Sequence, residues 1–463
     1  VKVSHTPAAT SATFDDPNLV SASGLLPILS LANTVGLHAL ADHHLTVPTD
    51  KGANPGAKVT SLVAGMIAGA DSIDDMALLR HGGMNTLFTG RYAPSTLGSF
   101  LRAFAFGHVR QLDAIASRTL TSLSTRTPLM TQESDDYVYV DVDDTIIEVH
   151  GHQKQGSGYG YSGVRGLNAL LATVSTPSSA PVITAQRLRE GAVGSPRGAG
   201  RLIADALATT RRLHGLGRAR TLFRADSAYY GHSAISAAIT GGADVSVTAR
   251  MDAHVKKTIA AIDDDAWQTI EYTNAIFDED TRQWISTAEV AEIAFTAFIS
   301  KKNSEQVPGR LVVRRIPELN PKDTDAPTLF DTYRFHPFFT TSDLDTVTAD
   351  KVHRRHAIIE QVHADLKNSA LAHLPSGIIN ANAAWLVLAV IAFNLTRGAA
   401  TIAGERLAKA TTATIRTKLV SVPARVATSA RRVKLHLPSN WPWQTEWTAL
   451  FTAANAPPGK VAA

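Results

Sequence analysis

At Tyr137 the hydrophobic period of this chain changes from that of helices to that of strands, and the fold must accommodate both. Residues 24–125 carry three helical stretches, "GLLPILSLANTVGLHALADHHL", "AKVTSLVAGMIAGADSIDDMALLRHGG" and "PSTLGSFLRAFAFGHVRQLDAIASRTL". In the third, Pro94 precedes a Ser95/Thr96 N-cap, and Leu97, Phe100, Leu101, Phe104, Val109 and Leu112 repeat at helical spacing. Short helices broken by glycine suit a helix-turn-helix-like DNA-binding region and an ordinary bundle equally. From Tyr137, "YVYVDVDDT" alternates: Val138, Val140 and Val142 on one face, Tyr139, Asp141 and Asp143 on the other. Asp144 then falls on the valine face. Carboxylates gathered this way repel one another unless a cation or solvent lies between them.

Beyond this strand come "GLNALLATVS" and "APVITAQRL", then the helix "GAGRLIADALATTRRLHGLG". The strand "ARTLFRADS", the helix "GHSAISAAITGG" and the strand "ADVSVTAR" follow. A meander followed by αβαβ predicts a mixed sheet with helices packed on it. Residues 250–335, with Trp267, Trp284, "EIAFTAFIS" and "GRLVVRRI", are β-like and form an expected insertion. The strand "FHPFFTTS" resumes the main domain, and the helix "TADKVHRRHAIIEQVHADLKNSA" and a buried helix over 380–396 complete it.

The 463 residues suffice for two or three domains. With no cysteine there is neither a disulfide framework nor a thiolate metal site. The longest apolar run, Ala383–Leu395, is 13 residues, short for a bilayer span and suited to a core helix. No membrane association is expected, and the expected location is cytoplasmic. The net charge is only +4, but no acid occurs between Glu405 and Glu446, while Lys409, Arg416, Lys418, Arg425, Arg431, Arg432 and Lys434 do. Such a region attracts polyanions, nucleic acid above all, or is simply a solvated basic tail.

Three acids stand out by context. Asp143 lies at a strand end, Asp226 ends the strand in "TLFRADSAYYG", and Glu360 sits in a helix beside Ile358 and Ile359. Each alone is an ordinary surface charge. Converging, they would form an oxygen site of the kind Mg²⁺ prefers, and two such ions serve phosphoryl transfer. "GYGYSG" (Gly158–Gly163) matches G-x-G-x-x-G literally. A dinucleotide site needs a helix after it and an acid about 20 residues on, whereas a β-like segment follows and position 183 is Ile, so a glycine hairpin is expected instead.

The chain resembles the DDE transposases of bacterial insertion sequences, and most closely the insertion sequence 1380 family within the insertion sequence 4-like superfamily. The resemblance spans nearly the whole chain. It rests on "DVDDT" (Asp141–Thr145), "HQKQGSGYGYSGVRG" (His152–Gly166), "RADSAYY" (Arg224–Tyr230), Glu360 with Lys367 seven residues on, and "LPSNWPWQTEW" (Leu437–Trp447). It implies a catalytic domain of RNase H-like (retroviral integrase-like) α/β fold over 131–249 and 335–400, interrupted by a β-rich insertion over 250–334. A flexible lead (1–20), a helical N-terminal DNA-binding region (21–130) and a basic C-terminal region (401–463) flank it. Asp143, Asp226 and Glu360 would be the catalytic triad holding two Mg²⁺ or Mn²⁺ ions, with Asp141 as second candidate for the first position.

Relatives place Tyr and Arg seven and four residues before the Glu to grip DNA phosphates. This chain has His353 and His356 there, with Arg355 adjacent. Together with Lys367, Arg431, Arg432 and Lys434 these are the candidate DNA contacts. Trp267 and Trp284 are the candidates for stacking a flipped base if cleavage passes through a hairpin, although the ordinary reading of either, a core tryptophan of the insertion, is preferred. The expected partners are the terminal inverted repeats of the element and target DNA, held by a homodimer, with the protein associated with the nucleoid. Two other readings exist. His356, Glu360 and His363 share a helical side and would suit a zinc-dependent hydrolase, although H-E-x-x-H is absent. A catalytically inactive DNA-binding regulator is the third.

Overall fold

The computed structural model describes residues 2, 4–48, 50–132, 137–151, 153–278, 282–317 and 333–456. His152, which opens the glycine-rich segment, and residues 318–332 of the expected insertion lie outside the described residues.

The helical stretches form where expected but break into shorter pieces. The first splits into Leu25–Thr34 and Leu37–His44 at Gly36, whose φ of 84° lies in the left-handed region that glycine enters without strain. The second runs Pro55–Ala68 and stops at Gly69, φ 111°. The third divides into Pro94–Arg102 and Phe106–Arg126. Pro94 is itself the first helical residue and Ala93 the cap, in place of the Ser95/Thr96 cap expected. Proline at this position loses no hydrogen bond, because its missing N–H would be unpaired in any case.

Thirteen strands are described. They are β1 (Leu19–Val20), β2 (Val138–Glu148), β3 (Gly158–Tyr159), β4 (Arg165–Ser175), β5 (Val182–Glu190), β6 (Thr221–Ala225), β7 (Ala243–Thr248), β8 (Gln268–Asp278), β9 (Gln283–Ala297), β10 (Val307–Pro317), β11 (Tyr333–Thr340), β12 (Ala424–Ser429) and β13 (Arg432–His436). Ten of them form one mixed sheet in the order β3-β4-β2-β6-β7-β11-β10-β9-β8, with β5 also paired to β4. At its centre β2, β6 and β7 are parallel, and β4 runs antiparallel to β2. The strands of the expected insertion do not form a separate sheet. β11 pairs antiparallel with β7, and β10, β9 and β8 continue outward from it. The glycine-rich segment is an antiparallel hairpin of β3 on β4, with no helix after it.

The buried helix is longer than the 13-residue run from which it was predicted. It extends from Ile379 to Ala403, 25 residues, because Thr396, Arg397 and Gly398 continue the helix inside the protein. Its length and hydropathy would let it cross a bilayer, yet 89% of its most apolar window is buried within the protein. It packs on the N-terminal helices, on β5 and on the helix Gln444–Ala454. Asn394 fixes its register: its side chain accepts from Ile183 N–H at 3.0 Å and donates to Ile183 C=O at 2.8 Å. Those backbone groups would otherwise lie unpaired at a buried sheet edge. The lead is tied down as well, since β1 pairs with β12 and Ser23 N–H donates to Val422 C=O.

Candidate active site

The parallel strands β2 and β6 run side by side with Asp141 opposite Arg224 and Val142 opposite Ala225. One residue further, Asp226 follows the carboxyl end of β6, whereas Asp143, expected at a strand end, stands in mid-strand: the parallel pairing with β6 stops at Val142, but β2 runs on to Glu148 against β4. With strands about 4.8 Å apart and a side-chain period of two, both point to the face that Asp141 and Arg224 occupy. The Asp226 carboxylate accepts from Ala228 N–H at 3.0 Å, which holds it at the start of the 3₁₀ turn Ser227–Tyr229. The helix Ile358–Lys367 lies against β2 and brings Glu360 to this side, on its exposed surface.

Asp143 is about one quarter exposed. Burial, and then the negative charges of Asp226, Asp144 and Glu360, push its carboxyl up to about 7 against the pull of a backbone N–H. Asp226 is also raised, chiefly by burial. The nearest side-chain nitrogen to Asp143 is His363 Nδ1, at 3.7 Å from Oδ2. Burial lowers that imidazole to about 4, so it is neutral and does not balance the carboxylate. His363 Nε2 is buried without a hydrogen-bond partner among the described residues.

Asp141 and Asp144 of β2 are structural. Asp141 is 1% exposed and forms a two-pronged ion pair with Arg224, Nε–Oδ1 2.7 Å and Nη2–Oδ2 2.8 Å. Arg224 also donates to Val352 C=O at 2.6 Å and lies 4.2 Å from the Tyr139 ring. Asp141 therefore is not available as the second candidate ligand: its oxygens are occupied by a buried guanidinium. Asp144, on the opposite face, accepts from Tyr229 Oη at 2.6 Å and from Asn168, with Arg189 Nη2 at 3.2 Å. Arg189 in turn holds the Ser195 and Arg197 carbonyls. Sequence reasoning missed Arg224, Arg189, Asn168 and Tyr229. A legible signal existed for Arg224: a cation inside the apolar strand "TLFRA" needs a buried acid.

His353 points into the protein. It is buried, stacked on Phe338 at 4.1 Å, with Nδ1 2.9 Å from Ser246 Oγ and Nε2 3.0 Å from Thr248 Oγ1. His356 lies in a 3₁₀ turn (Arg355–Ala357) that interrupts the expected continuous helix, its Nδ1 2.7 Å from His353 C=O. That turn takes His356 out of α-helical phase with Glu360 and His363. Arg355 and Lys367 are exposed. Trp267 is half-buried, with Arg315 at 4.1 Å over its ring and Phe335 beside it, which makes it part of the sheet's packing. Trp284 is 69% exposed, with the ring of Phe277 at 5.3 Å. Arg431, Arg432 and Lys434 stand exposed on the β12–β13 hairpin with no ion pair among the described residues. Arg425, by contrast, pairs with Asp16 at 3.4 Å, and Lys418 lies 5.1 Å from the Trp443 ring.

Among the described residues no group of three His, Asp or Glu side chains stands close enough to clasp one ion. The donor set nevertheless fits a hard cation: Asp143, Asp226 and Glu360 offer only oxygen, and a cation would relieve the repulsion that raises Asp143. The mixed α/β sheet thus carries two acids on adjoining parallel strands, faced by a helix-borne glutamate, an all-oxygen set of the kind that suits a divalent cation. The family described as Transposase DDE domain group 1 matches residues 6–456, and the chain belongs to it. It is thus a DDE transposase, a class that acts on DNA and generally uses divalent metal ions. No curated protein matches the chain.

Proposed function

We propose that the protein cuts the ends of its own insertion sequence and joins them to target DNA, with Asp143, Asp226 and Glu360 as catalytic acids. The observation that carries this reading is geometric: Asp143 on β2 and Asp226 just past its parallel neighbour β6 stand side by side, with the helix that bears Glu360 packed on β2. The order β4–β2–β6–β7, with the first acid on the central strand and the second on its parallel neighbour, supports the RNase H-like reading of the fold. The insertion sequence 1380 affiliation rests on the quoted motifs.

The three carboxylates would hold two Mg²⁺ or Mn²⁺ ions, which supply activation of the attacking oxygen and stabilisation of the leaving one. The protein's own part is placement. The sheet fixes Asp143, Ala228 N–H orients Asp226, and the neutral His363 imidazole shields one side of Asp143 without neutralising it. Water attacks the phosphodiester at an element end, and the freed 3′-hydroxyl then attacks target DNA, each as an in-line displacement at the same site. Lys367, Arg355 and His356 contact phosphates near the acids, the N-terminal helices read the terminal repeats, and two chains hold two ends. His353 is withdrawn from this set because both its nitrogens are engaged inside the protein. Of the two tryptophans, Trp284 has the exposure that stacking on an extrahelical base needs.

Arg431, Arg432 and Lys434 contact phosphates without reading sequence. Their replacement by Ala weakens binding to any duplex, and the log–log salt slope falls by about 0.9 for each phosphate that is no longer neutralised. An unchanged slope assigns the hairpin to solvent alone. The zinc reading is tested by elemental analysis of protein purified without chelator. Little zinc is expected, because the turn at Arg355–Ala357 sets His356 out of register and His363 faces Asp143. One tightly held zinc per chain, absent from His356→Ala, overturns the oxygen-only site.

A further inference from the structure

The helix Ile358–Lys367 has a second working side. Glu360, His363 and Lys367 flank its buried stripe (Ile359, Val362, Leu366) on the side of the acids. Ile358, Gln361, Val362 and Asp365, spaced as one helical face, line a cavity of about 610 Å³ on the other side. The helix Ile379–Ala403, the loop after β4 and residues 409–411 close it, and Tyr139 and Arg224 reach its wall. Tyr139 lies four residues before Asp143 on β2, so the cavity sits about 13 Å from the catalytic acids along the strand.

Its charge is unbalanced. Arg355 and Lys409 line it and have no hydrogen bond or ion pair among the described residues, and both are exposed. Arg397 is 5% exposed. Its Nη1 donates to the Ala408 and Ala410 carbonyls, at 3.1 and 2.6 Å, which fixes the guanidinium in place. Its Nε is buried with no hydrogen-bond partner among the described residues. Asp365 is the carboxylate in the wall. Its Oδ2 stands 4.0 Å from Arg397 Nη2 and is already bonded to Thr412 N–H at 2.9 Å. The two exposed cations Arg355 and Lys409, with no carboxylate bonded to either among the described residues, call for an anionic ligand in this cavity. Ile358, Val362 and Phe393 beside these cations give an apolar wall of the kind that a base, but not a bare anion, would fill.

We propose that this cavity binds a nucleotide, its phosphate on Arg355, Arg397 and Lys409 and its base against Ile358, Val362 and Phe393. Two sources share that chemistry: an unpaired nucleotide of the DNA strand leading to the acids, which rests on the transposase reading, and a free nucleotide, which does not. The site is distinct from Trp284, which lies far out on the sheet at β9.

The test uses the full chain in EDTA, so that no strand is cut. Its probes are deoxyadenosine monophosphate, inorganic phosphate, a blunt labelled duplex and the same duplex with a short single-stranded tail. Its variants are Lys409→Glu, at an exposed position that folding tolerates, and Arg397→Lys, which keeps the buried charge but not the fork. A tailed duplex bound more tightly than the blunt one, with that preference cut about tenfold or more by Lys409→Glu, assigns the cavity to the DNA strand. Saturable binding of the monophosphate, weakened about tenfold by either variant, assigns it to a free nucleotide. Inorganic phosphate competing as well as the monophosphate removes the base from the proposal and overturns it. Equal binding of tailed and blunt duplex together with no saturable monophosphate also overturns it, as does indifference of all probes to both variants. Wild-type cleavage with Mn²⁺, measured in parallel, separates the two readings: cleavage without nucleotide binding sinks the cavity alone, and nucleotide binding without cleavage sinks the transposase mechanism alone.

Discussion

Asp143→Asn, Asp226→Asn and Glu360→Gln each lower strand cleavage by about a thousandfold or more, while binding to the same DNA is kept. The asymmetry follows from where the two kinds of energy reside. The acids act where charge develops during phosphoryl transfer, whereas affinity for DNA rests on cations such as those of the β12–β13 hairpin. Removing one carboxylate also reduces the repulsion at the site, so these variants should be no less stable than the parent. Cleavage in Mg²⁺ or Mn²⁺ and equilibrium binding, measured on the same preparation, check both halves. Near-normal cleavage by any variant removes that residue from the triad, and loss of DNA binding in step with cleavage assigns it to structure.

Asp141→Ala, two residues away, behaves in the opposite manner: it destabilises the fold by about 3–5 kcal/mol. It leaves the Arg224 guanidinium, 1% exposed, without its carboxylate partner in the sheet. Arg224 cannot swing out, because it is held to Val352 C=O and lies along Tyr139. Asp141→Leu combined with Arg224→Met, which removes both charges, costs less than either single change. Thermal and urea unfolding of the three variants decide the matter. A single substitution that costs under about 1 kcal/mol means that the pair is solvated and the strand looser than described.

These two neighbouring aspartates show what the sequence carried and what it withheld. Alternation placed Asp141 and Asp143 on one face, and they do share it. Alternation cannot say which of the two meets a buried arginine, because that depends on the register of β6 against β2, a pairing between residues more than 80 positions apart. The order of strands and helices was legible from hydrophobic period, as was the strand-end position of Asp226, whereas Asp143 lies inside a strand that runs on to Glu148. The continuation of the sheet through β11 to β8 was not, since edge-to-edge pairing leaves the same alternating pattern as a separate hairpin domain. The environment of His353 was not legible either: the resemblance placed it among the DNA contacts by its distance from Glu360, and only the fold stacks its ring on Phe338 and engages both its nitrogens with Ser246 and Thr248. The cavity on the far side of the Glu360 helix joins residues from 139 to 411 and has no linear signature at all.

The helix Ile379–Ala403 also sets a timetable for synthesis. It is the common partner of the helices Leu25–Thr34, Pro55–Ala68, Pro94–Arg102 and Phe106–Arg126, all made long before it. Some 250 residues separate Arg126 from Ile379, which at about 5–20 residues per second means on the order of 10–50 seconds of elongation. Through that interval the early helices carry apolar faces whose permanent cover does not yet exist, and the incoming segment is itself greasy enough to attract a bilayer. Products released before residue 379 would keep those faces open and be held by chaperones or degraded. They would not accumulate as N-terminal fragments competing for the element ends.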